Sequence, residues 1–446
     1  MTRSDGGRHS PALYVVAAFA GAIVVGTLVL MIPYARAGHG SAPPLVALFT
    51  ATSAVCLTGH VVVDTSSYWT PFGQAMIILL VQVGGLGIMT AASLLALLVS
   101  RRLGLRGRLL AASETRTLGL GSVRRVVVGV VALSMIVEAA AAVALTLRFW
   151  TAYDTALRSA VWQGIFHAVS AFNNAGIALF PNNLASFATD PVISLVVLVA
   201  FVLGGLGFPV LFELRRTWRR PRRLSLHSKI TLWTTAVLAA VGVGAQLALE
   251  WTNPATLGPL AVPQKALAGL FQGVSPRSAG FNTLDFGAMN ETTWLVTDAL
   301  MFIGAGSAGT GGGIKVTTFA ILGFMIIAEA RGANDVSVAG RRVAPAAQRQ
   351  ALAVALLGVG VSFLGALVLL ETSGIVLDQV LFEAVSAFGT VGLSTGITAG
   401  LPGPAQAALI VLMFIGRIGP VTAASALALR QQVRFYRLPE ERPIVG

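Results

Sequence analysis

The sequence predicts an all-α membrane protein in which four pseudo-symmetric repeats surround one central pore. Its 446 residues are 55% hydrophobic and only 11% charged, with a mean hydropathy of +0.79, whereas soluble domains carry about 25% charged residues. So few charges cannot cover the surface of a water-soluble globule, which excludes soluble enzymes, coiled coils and disordered scaffolds. Two further observations indicate the repeats: apolar segments alternate between long and short, and two short phrases recur along the chain.

The apolar segments fall into two length classes. A helix that spans a bilayer needs about 20 apolar residues, and runs of about 10–14 favour a re-entrant segment. Long segments lie at residues 12–34, 72–99, 126–150, 191–214, 229–251, 293–328, 350–371 and 404–430. Short segments lie at residues 43–57, 158–174, 264–276 and 378–389. The order long, short, long occurs four times, which predicts eight transmembrane helices plus four re-entrant pore helices.

The basic residues predict the orientation. Of the 31 Lys and Arg residues, 24 lie in five segments, at the termini and in every second loop between long segments. This positive-inside pattern predicts a multi-pass protein of the cytoplasmic (inner) membrane with both termini in the cytoplasm. The net charge of +13 is therefore no sign of nucleic-acid binding. These side chains could dock a partner or contact anionic membrane lipids, and we expect lipid contact for most of them.

A phrase built on Phe, Ser and Gly accompanies each short segment. Ser follows Phe after four residues in every phrase, and Gly follows Ser after six, six, five and six residues. The phrases begin at Phe49, Phe166, Phe271 and Phe382 and end at Gly59, Gly176, Gly280 and Gly392. The recurrence predicts repeats at residues 12–99, 122–220, 228–330 and 345–436.

A second phrase, rich in glycine, follows each of these glycines within the next long segment. It occupies residues 84–87, 204–207, 304–306 and 416–419. Glycine lets helices approach each other closely. In the first two repeats we therefore expect these glycines to serve packing against the re-entrant helices; they are Gly84, Gly85, Gly87, Gly204, Gly205 and Gly207.

The first phrase has the properties of a cation filter. A re-entrant helix directs its C-terminal end, with its partial negative charge, towards the membrane centre. Backbone without helical hydrogen bonds is tolerated at that depth only where it lines a path for water or ions. Four such loops can replace the hydration shell of a cation with backbone carbonyls, and glycine permits the conformation that this requires. No carboxylate recurs in all four phrases, which favours a weakly hydrated monovalent ion over Ca²⁺ or Mg²⁺.

The candidate ion-binding residues are the phrase glycines and the residues before them. They are Thr58, Gly59, Ala175, Gly176, Ala279, Gly280, Val391 and Gly392.

The long segment at residues 293–328 is interrupted by glycines. Each glycine costs a helix about 1 kcal/mol relative to alanine, so the six between residues 304 and 313 would cost about 6 kcal/mol. We therefore expect two half-helices joined by a flexible loop, and we expect this break in the third repeat only. The hypothesis is that the loop occludes the pore below the filter until a partner moves it. The candidate gate residues are Gly304, Gly306, Gly309, Thr310, Gly311, Gly312, Gly313, Lys315 and, from the last long segment, Arg417.

Three further features of titratable residues bear on this pathway. Arg417 lies within the last long segment and either pairs with a carboxylate or carbonyl end, or faces the pore as an electrostatic barrier. His60 directly follows Gly59, and is either packed and hydrogen-bonded or a pH sensor. Arg277 needs a partner beside a cation filter; Asp285 and Glu291 are acidic residues near it in sequence.

These phrases resemble those of the Trk/Ktr/HKT superfamily of potassium transporters, and the resemblance covers about residues 12–446. Within it the chain is similar to the Ktr-type membrane subunits. The resemblance implies that the four phrase glycines are filter glycines, and that the glycine-rich loop of the third repeat and Arg417 of the fourth belong to the gate.

The resemblance also implies an activity and an assembly. It implies K⁺ uptake, commonly stimulated by Na⁺, with K⁺ held at the filter carbonyls. It implies a homodimer with one pore per subunit, docked on a cytosolic nucleotide-binding regulatory ring (KtrA-like). The chain itself is then expected to need no cofactor, because the nucleotide binds the partner.

Three alternatives come from other functional classes. An autonomous K⁺ channel would need no partner, and a secondary cation transporter would have inverted rather than parallel repeats. An intramembrane hydrolase is suggested by the pattern Gly392-Leu-Ser394-Thr-Gly396, but that motif requires a strand-to-helix elbow. A Walker A phosphate site is excluded because Lys315 precedes Val316 rather than Ser or Thr. The sequence therefore predicts a transport protein and no enzyme.

Overall fold

A computed structural model describes residues 11–102, 122–220 and 223–429, and helices dominate these ranges. The basic segments at the two termini and most of the basic loop after the first repeat lie outside the described residues, as does the end of the predicted fourth repeat. In chain order the helices are α1 (Pro11–Leu30), α2 (Pro44–Cys56), α3 (Thr65–Tyr68), α4 (Pro71–Arg102), α5 (Ser122–Ala152), α6 (Leu157–Phe172), α7 (Pro191–Leu206), α8 (Phe208–Thr217), α9 (Leu226–Glu250), α10 (Val262–Val274), α11 (Glu291–Phe302), α12 (Val316–Ala330), α13 (Pro345–Ser373), α14 (Leu377–Gly389) and α15 (Gly403–Leu429).

The remaining regular structure is short. Within the described ranges, 3₁₀ turns lie at Pro33–Ala35, Ala185–Phe187, Phe286–Ala288 and Thr398–Gly400. Between α12 and α13, strands β1 (Ser337–Val338) and β2 (Arg341–Arg342) pair antiparallel, with Ser337 opposite Arg342.

Several helices have the length and composition of membrane spans. Among the described residues the apolar stretches Leu13–Leu30, Val126–Ala152, Leu226–Glu250 and Pro345–Ser373 are long enough to cross a bilayer. The pair α7 and α8 adds a fifth if it is counted as one bent span. The further apolar stretches Pro44–Cys56, Pro71–Gly87, Val316–Ala330 and Gly403–Gly419 are shorter than this. The total of eight spans therefore stays a prediction.

The four short helices α2, α6, α10 and α14 occupy equivalent places in a cyclic arrangement. Each packs against the preceding long helix of its own repeat. Each also contacts the last long helix, or the first half of it, in the previous repeat: α2 contacts α15, α6 contacts α4, α10 contacts α7, and α14 contacts α11. The phenylalanines that begin the phrases are fully buried in these contacts. The contact between α2 and α15 closes the circle from the fourth repeat to the first.

A residue with positive φ follows each short helix. A non-glycine residue with positive φ lies two positions before each phrase glycine: Leu57 (58°), Asn174 (56°), Ser278 (94°) and Thr390 (47°). Such a residue cannot continue a right-handed helix, so the chain turns away from the helix axis there. The phrase glycines that follow lie outside regular secondary structure.

Two long helices are broken, whereas the sequence analysis expected one break. The predicted break separates α11 from α12. A second lies in the second repeat, where α7 and α8 meet at an angle of 100° around Gly207 (φ 90°). The expectation of a break in the third repeat only is therefore wrong, because a single glycine with positive φ ends a helix as effectively as six glycines.

Gly84 and Gly204, the first glycines of the second phrase in the first two repeats, have the predicted packing role. A methyl group on Gly84 would overlap the backbone of Val55, and one on Gly204 would overlap the carbonyl of Phe172. Gly416 in the last repeat lies against the Phe388 carbonyl in the same way. These glycines let the long helices touch the C-terminal ends of α2, α6 and α14.

Candidate ion-binding site

The four phrase glycines share one backbone conformation. Their φ angles are 95° at Gly59, 66° at Gly176, 71° at Gly280 and 87° at Gly392. L-residues rarely adopt these angles, so the recurrence of glycine has a direct conformational cause. We refer to these four residues as the glycine ring.

The ring is closed by contacts between successive repeats. A methyl group on Gly59 would lie 2.5 Å from the carbonyl oxygen of Ala175, and one on Gly176 would lie 3.0 Å from that of Ala279. A methyl group on Gly280 would overlap the carbonyl of Val391, and one on Gly392 would overlap that of Thr58. The eight predicted ion-binding residues are therefore brought together, each glycine facing the carbonyl that precedes the next one.

The serine of each phrase fixes the backbone of the glycine ring through hydrogen bonds. Its backbone carbonyl accepts the N–H of the residue before the glycine at 2.8–2.9 Å in all four repeats. In the first and fourth repeats its hydroxyl also accepts the N–H of Gly59 or Gly392 at 3.1 Å. In the second and third it donates to the carbonyl after the glycine. These serines, Ser53, Ser170, Ser275 and Ser386, were missed as site residues, although their fixed spacing in the phrase was the available signal.

The loop between α11 and α12 packs against the residues that precede the ring glycines, and we call this side of the ring its underside. A methyl group on Gly311 would overlap the Ser278 side chain, and one on Gly312 would overlap that of Thr390. Both contacted residues lie two positions before a ring glycine. Gly313, with a φ of 64°, lies against the backbone at the end of α14.

The same loop binds the broken end of α7. A helix end leaves backbone carbonyls without partners inside the helix. Here Gly306 donates its N–H to Gly205 at 2.8 Å, and Thr310 donates its N–H to Gly204 at 3.2 Å. Gly309 lies against the same carbonyls, so the break in the second repeat provides the surface that holds the loop of the third.

Hydrogen bonds join the two ends of the loop between α11 and α12. The N–H of Gly304 donates to the carbonyl of Ile314 at 2.8 Å, and Ile303 and Ile314 form a parallel bridge. The Lys315 ammonium donates to the carbonyl of Gly311. These bonds give the predicted flexible loop a defined conformation.

Thr310 is the residue through which the loop meets two other repeats. Its hydroxyl donates to Oδ1 of Asn174, at the end of α6, over 2.8 Å. Its carbonyl accepts a hydrogen bond from the guanidinium of Arg417, whose side chain is buried. Of the two alternatives for Arg417, the structure shows the carbonyl partner, and this carbonyl belongs to the candidate gate.

The structure also resolves two residues that the sequence left open. Arg277 donates to the carbonyl and hydroxyl of Thr235, at 3.1 and 3.3 Å, and not to the acidic residues near it in sequence. His60 is buried, with Nδ1 3.4 Å from a carboxylate oxygen of Glu383. Of the two alternatives for His60, its position matches the first, a packed side chain with a polar partner.

Comparisons with known proteins agree with this architecture. The family described as "TrkH: Cation transport protein" matches residues 9–434. "Ktr system potassium uptake protein B" of Bacillus subtilis is 40% identical over 98% of this chain and 97% of its own length. The protein of the same description from Vibrio alginolyticus is 38% identical over 90% of this chain and 88% of its own length. "Potassium/sodium uptake protein NtpJ" of Enterococcus hirae is 32% identical over 98% of both chains.

A solved structure shows the same fold. The crystal structure of the potassium transporter TrkH from Vibrio parahaemolyticus superposes with a TM-score of 0.72 at 20% identity. The superposition covers 94% of this chain and 86% of that one.

Proposed function

Since this chain belongs to the Trk/Ktr family of cation transport proteins, we propose that it carries K⁺ into the cell through one pore lined by the glycine ring. The closed succession of glycines and carbonyls is the observation that carries this proposal. Relatives that cover nearly the whole chain are described as potassium uptake proteins, which supports K⁺ as the substrate.

The proposed filter consists of the carbonyls around the ring. Eight transmembrane helices and four re-entrant helices surround it, and the C-terminal ends of the re-entrant helices direct partial negative charge towards it. Each ring carbonyl belongs to backbone that the phrase serine fixes. Fixed carbonyl dipoles can replace the hydration shell of K⁺, whose small cost of dehydration suits neutral ligands.

The proposed gate is the loop between α11 and α12. It lies across the underside of the ring, bound to the end of α7, to Asn174 and to Arg417. Passage requires these contacts to open. Because Arg417 also places a positive charge beside the path, the closed loop combines a steric barrier with an electrostatic one.

We further propose that a partner and Na⁺ regulate this gate. A cytosolic nucleotide-binding ring, docked on a homodimer of this chain, would release the loop, and Na⁺ would stimulate uptake. The descriptions of the relatives as parts of a Ktr system support the partner. The description of one relative as a potassium/sodium uptake protein supports a role for Na⁺.

Rb⁺ uptake into proteoliposomes that contain this chain alone tests the proposal. K⁺ in the medium should inhibit uptake far better than Na⁺ does. Deletion of residues 305–312 should raise uptake in the absence of a partner, whereas wild-type uptake should be low. Equal inhibition by the two ions would refute the filter, and unchanged uptake after the deletion would refute the gate. High wild-type uptake without a partner would instead favour an autonomous channel.

A further inference from the structure

The residue that follows the phrase phenylalanine is polar in every short helix. It is Thr50, His167, Gln272 or Glu383, and all four side chains are buried. Burial of a polar group is unfavourable unless it is hydrogen-bonded. The partners of these side chains therefore show what holds them in place.

In the second and third repeats the partner is the backbone just beyond the glycine ring. The N–H of Leu179 donates to Nε2 of His167 at 3.2 Å. The N–H of Thr283 donates to Oε1 of Gln272 at 3.1 Å. Leu179 and Thr283 occupy the same register, three residues after the ring glycine of their repeat.

Glu383 makes the corresponding contact in the fourth repeat and adds others. The backbone N–H of Thr395, again three residues after the ring glycine, interacts with its carboxylate. The hydroxyl of Ser394 donates to the same carboxylate, as does that of Thr398 at 2.9 Å. The carboxylate thus fastens the whole segment that leaves the ring at Gly392.

The first repeat has no anchor of this kind of its own. Thr50 is too short to reach so far, and the described residues contain no hydrogen bond between it and Val62, the residue in the equivalent register. Instead His60, which directly follows Gly59, places Nδ1 3.4 Å from Glu383. One carboxylate therefore contacts the segments that leave the ring in both the fourth and the first repeats.

We propose that His167, Gln272 and Glu383 are positioning residues of the ion filter, and that Glu383 fixes the ring where the first and fourth repeats meet. The inference rests on the proposed function, because it assigns these side chains to the selectivity of that same filter. In the second, third and fourth repeats each loop is then held on both sides of its glycine, by the serine before it and by the anchoring side chain after it. In the first repeat the contact of His60 with Glu383 takes the place of the second anchor. Discrimination between K⁺ and Na⁺ depends on the spacing and freedom of the carbonyls, so loss of the second anchor weakens it.

The ratio of Na⁺ to K⁺ concentrations that halve Rb⁺ uptake measures this discrimination. Glu383→Leu removes every acceptor of the anchor. The ratio should fall about tenfold, because one or more buried hydrogen bonds that hold the ring are lost. Glu383→Gln should keep the ratio within about twofold, because an amide already performs this task at Gln272. Gln379→Leu, half-buried one turn earlier on α14, is the matched control and should leave the ratio unchanged.

A second variant keeps the test decisive if Glu383→Leu fails to fold. Gln272→Met has similar volume but lacks the acceptor for Thr283, and it too should lower the ratio. Wild-type ratios in properly folded Glu383→Leu or Gln272→Met protein would overturn the positioning role alone. A wild-type protein without preference for K⁺ would overturn the proposed filter, and this inference with it.

Discussion

Removal of the Thr310 hydroxyl should open the candidate gate. This side chain is fully buried, and its hydroxyl donates to Oδ1 of Asn174 at 2.8 Å. Its backbone N–H and carbonyl make the separate bonds to Gly204 and Arg417. Thr310→Val keeps the branched shape and both backbone bonds, so it removes only what the hydroxyl donates: the bond to Asn174 and a longer one, at 3.4 Å, to the carbonyl of Phe172 at the end of α6.

The size of the effect follows from the loss of that one hydroxyl donor. A buried acceptor that loses its donor costs about 1–3 kcal/mol. If the loop leaves α6 when the pore opens, only the closed state carries this cost. The ratio of open to closed protein should then rise about 5- to 150-fold.

The assay is the initial rate of Rb⁺ uptake by proteoliposomes that contain this chain without a partner. The Thr310→Val rate should exceed the wild-type rate, and K⁺ should still compete better than Na⁺ because the ring is untouched. Thr231→Val is the control: Thr231 is buried, but its hydroxyl donates within α9, to the carbonyl of His227. An unchanged or slower rate for well-folded Thr310→Val protein would refute the assignment of the loop as a gate.

Three more changes test separate parts of the structure. Gly176→Ala places a methyl group 2.7 Å from the Cα atom of Gly280, at a φ of 66° that alanine rarely adopts. K⁺ should then no longer inhibit Rb⁺ uptake better than Na⁺ does. If K⁺ remained the better inhibitor, the result would argue against the ring as filter. Arg417→Ala removes a charged donor to the Thr310 carbonyl, worth about 1.5–3 kcal/mol, and should raise partner-independent uptake by tenfold or more; unchanged uptake would mean that the arginine has no part in closure. At the N-terminal end of α7, burial raises the pKa of Asp190, but hydrogen bonds from an arginine, a tyrosine and two backbone N–H groups outweigh it and hold this pKa below its ordinary value. The carboxylate therefore stabilises the fold above its unfolded-state pKa of about 3.9 and loses this contribution as the pH falls through the lower folded-state value. Asp190→Ala should lower the free energy of unfolding, measured in detergent, by about 1–2 kcal/mol at pH 7. The loss of stability should be smaller near pH 3. An equal loss at both pH values would contradict this.

The sequence alone determined the features that depend on local backbone chemistry. Only glycine adopts the φ of the ring without strain, so Gly59 and its three counterparts were identifiable from their recurrence. The glycines from 304 to 313 predicted a break for the same reason. The bounds of α2, α6, α10 and α14 lie within a few residues of the predicted short segments, because apolar length is also a local property.

Only the tertiary structure decided which buried polar groups meet. Arg417 and Thr310 are 107 residues apart in sequence, and Asn174 and Thr310 are 136 apart. The contact of His60 with Glu383 likewise joins the first repeat to the fourth. A buried polar side chain must find a partner, but its own sequence neighbourhood does not specify which one. The docking of distant helices makes that choice, and here it unites the break at Gly207, the loop under the ring and the anchor at Glu383.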